Sequence, residues 1–178
     1  LGGASRFAGV ALRGTNMCCV NLGNPRASEP YPPWQVEETC RHEMNHLFAF
    51  PRVGSDPGWG WWLEAMAEAV ENTVKPRQSQ LTPAVIKNYM KGTRAADVDF
   101  MQMVHDRNND ALEQYRDYEP LLVSIVFYLE AKYGKDAVAR VMAQAQSQGR
   151  SLEGAFQGAL GVSSRELESG WKSFYGIK

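Results

Sequence analysis

The stretch Trp34-Gln35-Val36-Glu37-Glu38-Thr39-Cys40-Arg41-His42-Glu43-Met44-Asn45-His46-Leu47-Phe48-Ala49-Phe50, closed by Pro51, decides how this chain reads. It predicts a helix over 34–50 that the proline ends. On a helical wheel Val36, Cys40, Met44 and Leu47 make one apolar stripe, expected to face the core. Glu37, Glu38, Arg41 and Asn45 make the expected solvent face. His42, Glu43 and His46 fall on the flank between core and water, where a site would be placed.

His42-Glu43-Met44-Asn45-His46 is an H-E-x-x-H motif. Residues four apart share a helix face, so both imidazoles can reach one ion. Zinc accepts imidazole nitrogen at about 2.0–2.1 Å, and a catalytic site takes three protein ligands plus water. Glu43 lies about 100° round the helix from His42. There it can address a water at the metal without being a ligand, as a general base must. Of the three histidines in the chain, two fall in this motif. A chance match at ordinary residue usage is on the order of one per cent or less, which sets the motif above the plain alternative of two structural histidines.

A third ligand has to come from elsewhere. Residues 51–60 read as a Pro/Gly loop, and a second helix is predicted over 61–74, stopping at Pro76. Glu64, Glu68 and Glu71 sit at i, i+4 and i+7 and so form one stripe of it. Leu63, Met66 and Val70 form the opposite, apolar face. Alone, such a stripe is a solvated carboxylate face. A histidine motif one loop upstream makes it the place to look for the ligand, since the two helices must pack together. Periodicity leaves the choice among the three open.

The segment Trp61-Trp62-Leu63-Glu64-Ala65-Met66-Ala67-Glu68 resembles the W-L-x-E-G-x-A-E block of the gluzincin zinc metallopeptidases. There the first Glu of the block is the third zinc ligand. Seventeen residues separate His46 from Glu64, similar to the aminopeptidase-like members. The resemblance implies zinc as cofactor, His42, His46 and Glu64 as its ligands and Glu43 as the base. It leaves Glu68 to hold a histidine ring from behind or to fix the helix. Ala65 departs from the usual Gly. Farther on, Tyr133-Gly134, Ser151-Leu152-Glu153-Gly154-Ala155-Phe156, Ala159-Leu160-Gly161, Leu167 and Trp171 look like the C-terminal helical lobe of the peptidase-MA-like families. The likeness spans about residues 36–175. Relatives often carry a tyrosine that donates to the oxyanion. Tyr118 is the candidate here and Tyr115 the alternative, against an ordinary partly buried tyrosine. His105, beside Asp106 and Arg107, reads as a surface histidine. Trp59, Trp61 and Trp62 either line a substrate subsite or pack the loop onto the helix.

The implied fold is α+β and zincin-like: a small N-terminal β-sheet, the active-site helix, then an all-helical C-terminal lobe. Residues 1–178 form a single domain in this reading, 1–50 with the strands and metal helix and 51–178 with the lobe and third ligand. Two strands are expected over 7–12 and 17–22 with a turn at 13–16. The second is the expected edge for pairing with an extended substrate. Thr82-Pro83 starts a helix that Gly92 stops. Further helices are expected over 117–132, 136–148 and 151–160, closed by Gly134, Gly149 and Gly161. Ser163 and Glu166 form a capping box for the last helix, which carries Trp171 and Phe174. Residues 93–116 are ambiguous.

A net charge of −1 and a charged fraction of 22% give no field that would draw nucleic acid or an anionic surface. No apolar run is long enough for a membrane span. No signal peptide is visible, although the resemblance favours a secreted or cell-surface setting. The chain opens on Leu1 and holds only 41 residues before His42. That is short for a zincin upper lobe, so this is either a minimal form or one whose upstream sequence is missing. Cys18, Cys19 and Cys40 are an odd set. A bridge from Cys18 or Cys19 to Cys40 stays open beside the plainer reading of small buried thiols. The function expected is hydrolysis of peptide bonds, with a peptide or protein substrate as the partner. The rivals are a deformylase-like zinc amidohydrolase, which a cysteine third ligand would signal, and an inactive zincin-fold binding module, for which Glu43 would have no use.

Overall fold

The computed structural model describes residues 9–20, 31–53, 58–92, 99, 119–147 and 151–177. Strands β1 (Gly9–Leu12) and β2 (Met17–Val20) pair antiparallel, from Gly9 opposite Val20 to Leu12 opposite Met17. Gly14 takes the left-handed backbone that the turn needs, with φ +81°. The Thr15 amide and hydroxyl both donate to the Leu12 carbonyl, at 3.1 and 2.8 Å.

Helices follow: α1 (Pro33–Ala49), α2 (Trp59–Asn72), α3 (Pro83–Gly92), α4 (Glu119–Tyr133), α5 (Ala137–Ser147), α6 (Leu152–Leu160) and α7 (Ser164–Tyr175). The chain is therefore mostly helical, α+β in class, with one small antiparallel sheet among the described residues. The local signals explain most boundaries. The Thr82 hydroxyl accepts from the Val85 amide at 3.3 Å. Gly161 turns left-handed at the end of α6. Both halves of the Ser163/Glu166 capping box are present. Gly149 and residues 93–98 and 100–118 lie outside the described residues.

The layers run sheet, α1, α2, α4, with α3, α5 and α7 also against α4 and α6 against α5. Helix α4 is apolar on every side: Leu121, Leu122, Val123, Ile125, Val126 and Leu129 are all buried. The hydroxyl of the buried Ser124 accepts from Trp171 Nε1 at 2.9 Å, and the Ser124 carbonyl accepts from Tyr175 OH at 3.0 Å. A fully buried large apolar side chain contributes roughly 1.5–3 kcal/mol, so this block holds the fold together.

Three expectations about faces need correction. Met44, placed in the core stripe of α1, is exposed, while Glu43, His46 and Ala49 are buried. Glu38, placed in solvent, has a side chain only 12% exposed because it meets Lys75. On α2, Val70 is exposed and the carboxylate stripe is turned inward. One packing choice underlies the buried flank: α2 covers the histidine side of α1 and turns its own carboxylates toward it. Trp59, Trp61 and Trp62 are buried in the core, with Trp61 and Trp62 against Phe156. They pack the helix and line no open subsite. Cys18, Cys19 and Cys40 are free thiols, Cys19 exposed and the others half-buried. Among the described residues no helix is long and apolar enough to cross a membrane.

Candidate metal centre

Helices α1 and α2 cross antiparallel, as their side-chain partners show. Glu38 meets Lys75, His42 lies between Glu71 and Glu64, and His46 meets Glu64. The i, i+4 spacing of the histidines stacks them one turn apart, ring centroids 4.9 Å apart. Phe50, one further turn on, stacks on the His46 ring at 5.6 Å and nearly parallel.

Glu64 reaches across with one oxygen for each ring. Its Oε2 lies 3.3 Å from His42 Nε2 and its Oε1 3.3 Å from His46 Nε2. Donor atoms of His42, His46 and Glu64 all fall within 4.8 Å of one another, a grouping that could hold a metal ion. The length tests the fit. A direct hydrogen bond between a charged ring and a carboxylate is typically about 2.7–2.9 Å. Two ligands at about 2.0–2.1 Å on a tetrahedral ion stand about 3.3–3.4 Å apart. Each Glu64 oxygen stands at about that separation from one ring nitrogen, and the three residues together form a grouping that could hold a metal ion.

Behind the rings stands a second set of charges. Glu71 Oε2 lies 3.0 Å from His42 Nδ1, and Glu71 Oε1 faces Lys75 Nζ at 3.4 Å. Lys75 also meets Glu38 Oε1 at 3.5 Å and Glu119 Oε1 at 2.5 Å. The expectation that Glu68 would hold the ring is corrected here, for that hydrogen bond is made by Glu71. Glu68 is buried beside them, its ligand oxygen within 4.8 Å of those of His42 and Glu71. The wheel contains the signal that was missed. Taking Glu64 as zero, Lys75 falls at about +20°, Glu71 at about −20° and Glu68 at about +40°. Glu71 and Lys75 continue the stripe of the ligand more closely than Glu68 does.

The electrostatics follow from this crowding. Burial opposes a charge on Glu64, but its two histidine partners outweigh that and hold its pKa near 2. Burial likewise opposes charge on Glu71, and His42, Glu38 and Lys75 bring it down to about 2. Burial disfavours a charged His42 ring, yet Glu64 and Glu71 raise its pKa to about 10. For Glu68 burial first, then Glu71, outweigh the pull of His42 and Lys75 and push it up to about 8. Burial and the neighbouring Glu71 push Glu38 up to about 8, against the pull of Lys75.

Glu43 is set apart from the donor cluster and lies against the sheet. Burial raises its pKa, against the pull of His42 and His46 and a hydrogen bond from the Ala11 backbone. A Cβ at Gly9 would stand 2.7 Å from Glu43 Cγ and from Thr39 Cγ2, so only glycine lets β1 lie this close. Strand β1 thus lies directly against Glu43. Tyr118, Tyr115 and His105 lie outside the described residues.

The arrangement can hold a cation on three donors and present one raised-pKa carboxylate and a strand backbone beside it. Compared with family models, with curated proteins and with solved structures, the chain matches none.

Proposed function

We propose that this chain is a zinc-dependent peptidase of gluzincin type on a zincin-like fold. The observation that carries the reading is the pair of 3.3 Å contacts from Glu64 to His42 and His46, with Glu43 buried on the next flank of the same helix. His42, His46 and Glu64 would hold the ion, which when bound supplies Lewis-acid polarisation of a carbonyl and acidifies water toward a pKa of about 7. Glu43 takes the proton from the attacking water and returns it to the leaving amine. Burial shifts its carboxyl upward, the direction that favours returning a proton as well as taking one. The backbone of β1 next to Glu43 can pair with an extended substrate, holding the scissile bond beside the base. Tyr118 is proposed as a donor to the developing oxyanion.

Glu43→Gln is the test. The variant should keep stoichiometric zinc by metal analysis and lose hydrolysis of a peptide library by at least about 10²–10⁴-fold. Near wild-type turnover, or wild-type protein that takes up no zinc on reconstitution, would refute the proposal.

A further inference from the structure

Lys75 closes a line of contacts that ends at the candidate metal ligands His42 and Glu64. Its Nζ faces Glu71 Oε1 at 3.4 Å, the other oxygen of that carboxylate holds His42 Nδ1 at 3.0 Å, and His42 Nε2 faces Glu64 at 3.3 Å. The ammonium side chain is 9% exposed and is gripped from three helices: Glu38 of α1, Glu71 of α2 and Glu119 at the start of α4. For stability alone, a buried lysine in this place would do better as a methionine, because the desolvation of an ion pair often exceeds its attraction. Here the lysine sits one turn beyond the carboxylate that touches the ring.

We infer that Lys75 is a positioning residue that sets which nitrogen of His42 faces the metal. A neutral imidazole has one N–H and one lone pair, and the hydrogen bond at one nitrogen decides the role of the other. With an ammonium against Oε1, Glu71 is an acceptor only, so Nδ1 must be the nitrogen that carries hydrogen. Nε2 then keeps its lone pair, and it is Nε2 that faces Glu64. Lys75 therefore acts at a distance: it touches neither the ring nor the donor triangle but fixes the carboxylate that orients the ring. The grip on Glu119 ties the same point to α4, so the packed core holds the angle of the clamp. The inference rests on the zinc reading above.

The test is zinc affinity, measured by chelator competition on full-length protein. Lys75→Met should weaken zinc binding by about 10–100-fold, the usual loss when a support behind a metal ligand is removed. Lys75→Arg, which keeps a cation against Glu71, should recover most of it. In a Glu71→Gln background Lys75→Met should have little further effect, because the two act on the same ring. Should Lys75→Met leave an unpaired acidic cluster that does not fold, Lys75→Met/Glu119→Gln removes the charges as a neutral pair and should show the same loss. Cadmium-loaded protein adds a readout that mere destabilisation would not move: coupling of the metal to Nε2 of His42 in the wild type, reduced or divided between the nitrogens in Lys75→Met. Wild-type protein without zinc affinity would sink the site itself. Wild-type affinity retained by Lys75→Met, with only a lower melting temperature, would sink this role for Lys75 and leave the site standing.

Discussion

Helix α2 is shared by two seams of opposite character. Toward α4 and the C-terminal helices it presents Trp61, Trp62 and Leu63, all buried among apolar side chains. Toward α1 it presents Glu64, Glu68 and Glu71, with Lys75 just past its end, against Glu38, His42 and His46. The apolar seam lowers the free energy of folding with every side chain it hides. The polar seam raises it, because each buried charge must recover its lost hydration from partners. The polar seam persists only where the apolar one supplies a surplus. The same seam holds the His42, His46 and Glu64 grouping that could hold a metal ion.

The difference should appear most strongly when one group is removed from each seam. Phe156 packs on Trp62 with ring centroids 5.2 Å apart. Phe156→Ala should cost about 3–5 kcal/mol, a fall in melting temperature of roughly 6–20 °C for a chain this size. Zinc affinity of the folded fraction should change little. Glu64→Ala should do the reverse, abolishing stoichiometric zinc with a smaller thermal loss in metal-free protein. Calorimetry with and without chelator distinguishes them, and if Glu64→Ala retained zinc as tightly as Glu68→Ala the division between the seams would collapse.

A second way to sharpen the contrast is the pH dependence of zinc uptake. The metal must displace the proton from His42, whose ring in metal-free protein is raised to about 10. Below that value each unit of pH should change zinc affinity about tenfold, 1.36 kcal/mol, in favour of higher pH. Glu64, held near 2, adds no competition in the neutral range. The sign for the apo fold is opposite. The charged ring stabilises the folded chain fully below its unfolded pKa of 6.5 and loses that contribution as pH rises through 10. Raising pH from 6.5 should therefore weaken the metal-free fold while it tightens the metal. Competition titrations at several pH values read the first slope and denaturant melts read the second. A zinc affinity flat between pH 6.5 and 9 would mean that Glu64 and Glu71 do not hold the proton.

The same contrast separates what the sequence made legible. The hairpin turn, the Thr82 and Ser163 helix starts, the Gly161 stop and the H-E-x-x-H turn are local, set by neighbours within a few residues, and each is where the residues put it. Which face of α1 is buried is not local. Val36, Cys40, Met44 and Leu47 form a better apolar stripe than the flank that was buried, but only α2 decides which flank is covered. The same holds for Glu68 and Glu71. The wheel puts both near Glu64, and the antiparallel crossing that places His42 midway between Glu64 and Glu71 makes the choice. Lys75 lay beyond the predicted helix and pairs with residues 37 and 44 positions away, Glu38 and Glu119, a separation that no periodicity reports.

The smallest effect expected is at Glu68, the carboxylate of the polar seam that among the described residues makes no ion pair. Burial and the charge of Glu71 raise it to about 8 from the ordinary 4.5. In the unfolded chain it ionises near 4.5, so below that pH both states hold the proton and nothing is lost. Between 4.5 and 8 the unfolded chain gives up its proton while the folded one keeps it, and stability falls steadily with pH. Above 8 the loss is complete. Glu68→Gln keeps the shape and removes the titration. The variant should match wild type at pH 4.5 and exceed it increasingly up to pH 8. The gain is limited to about 1–2 kcal/mol, because a buried amide also needs partners. Zinc uptake should survive, since Glu71 and not Glu68 holds the His42 ring. Metal-free melts across pH 4.5–8 provide the measurement, and a Glu68→Gln variant less stable than wild type throughout would place a favourable partner at Glu68 and remove it from the strained members of the seam.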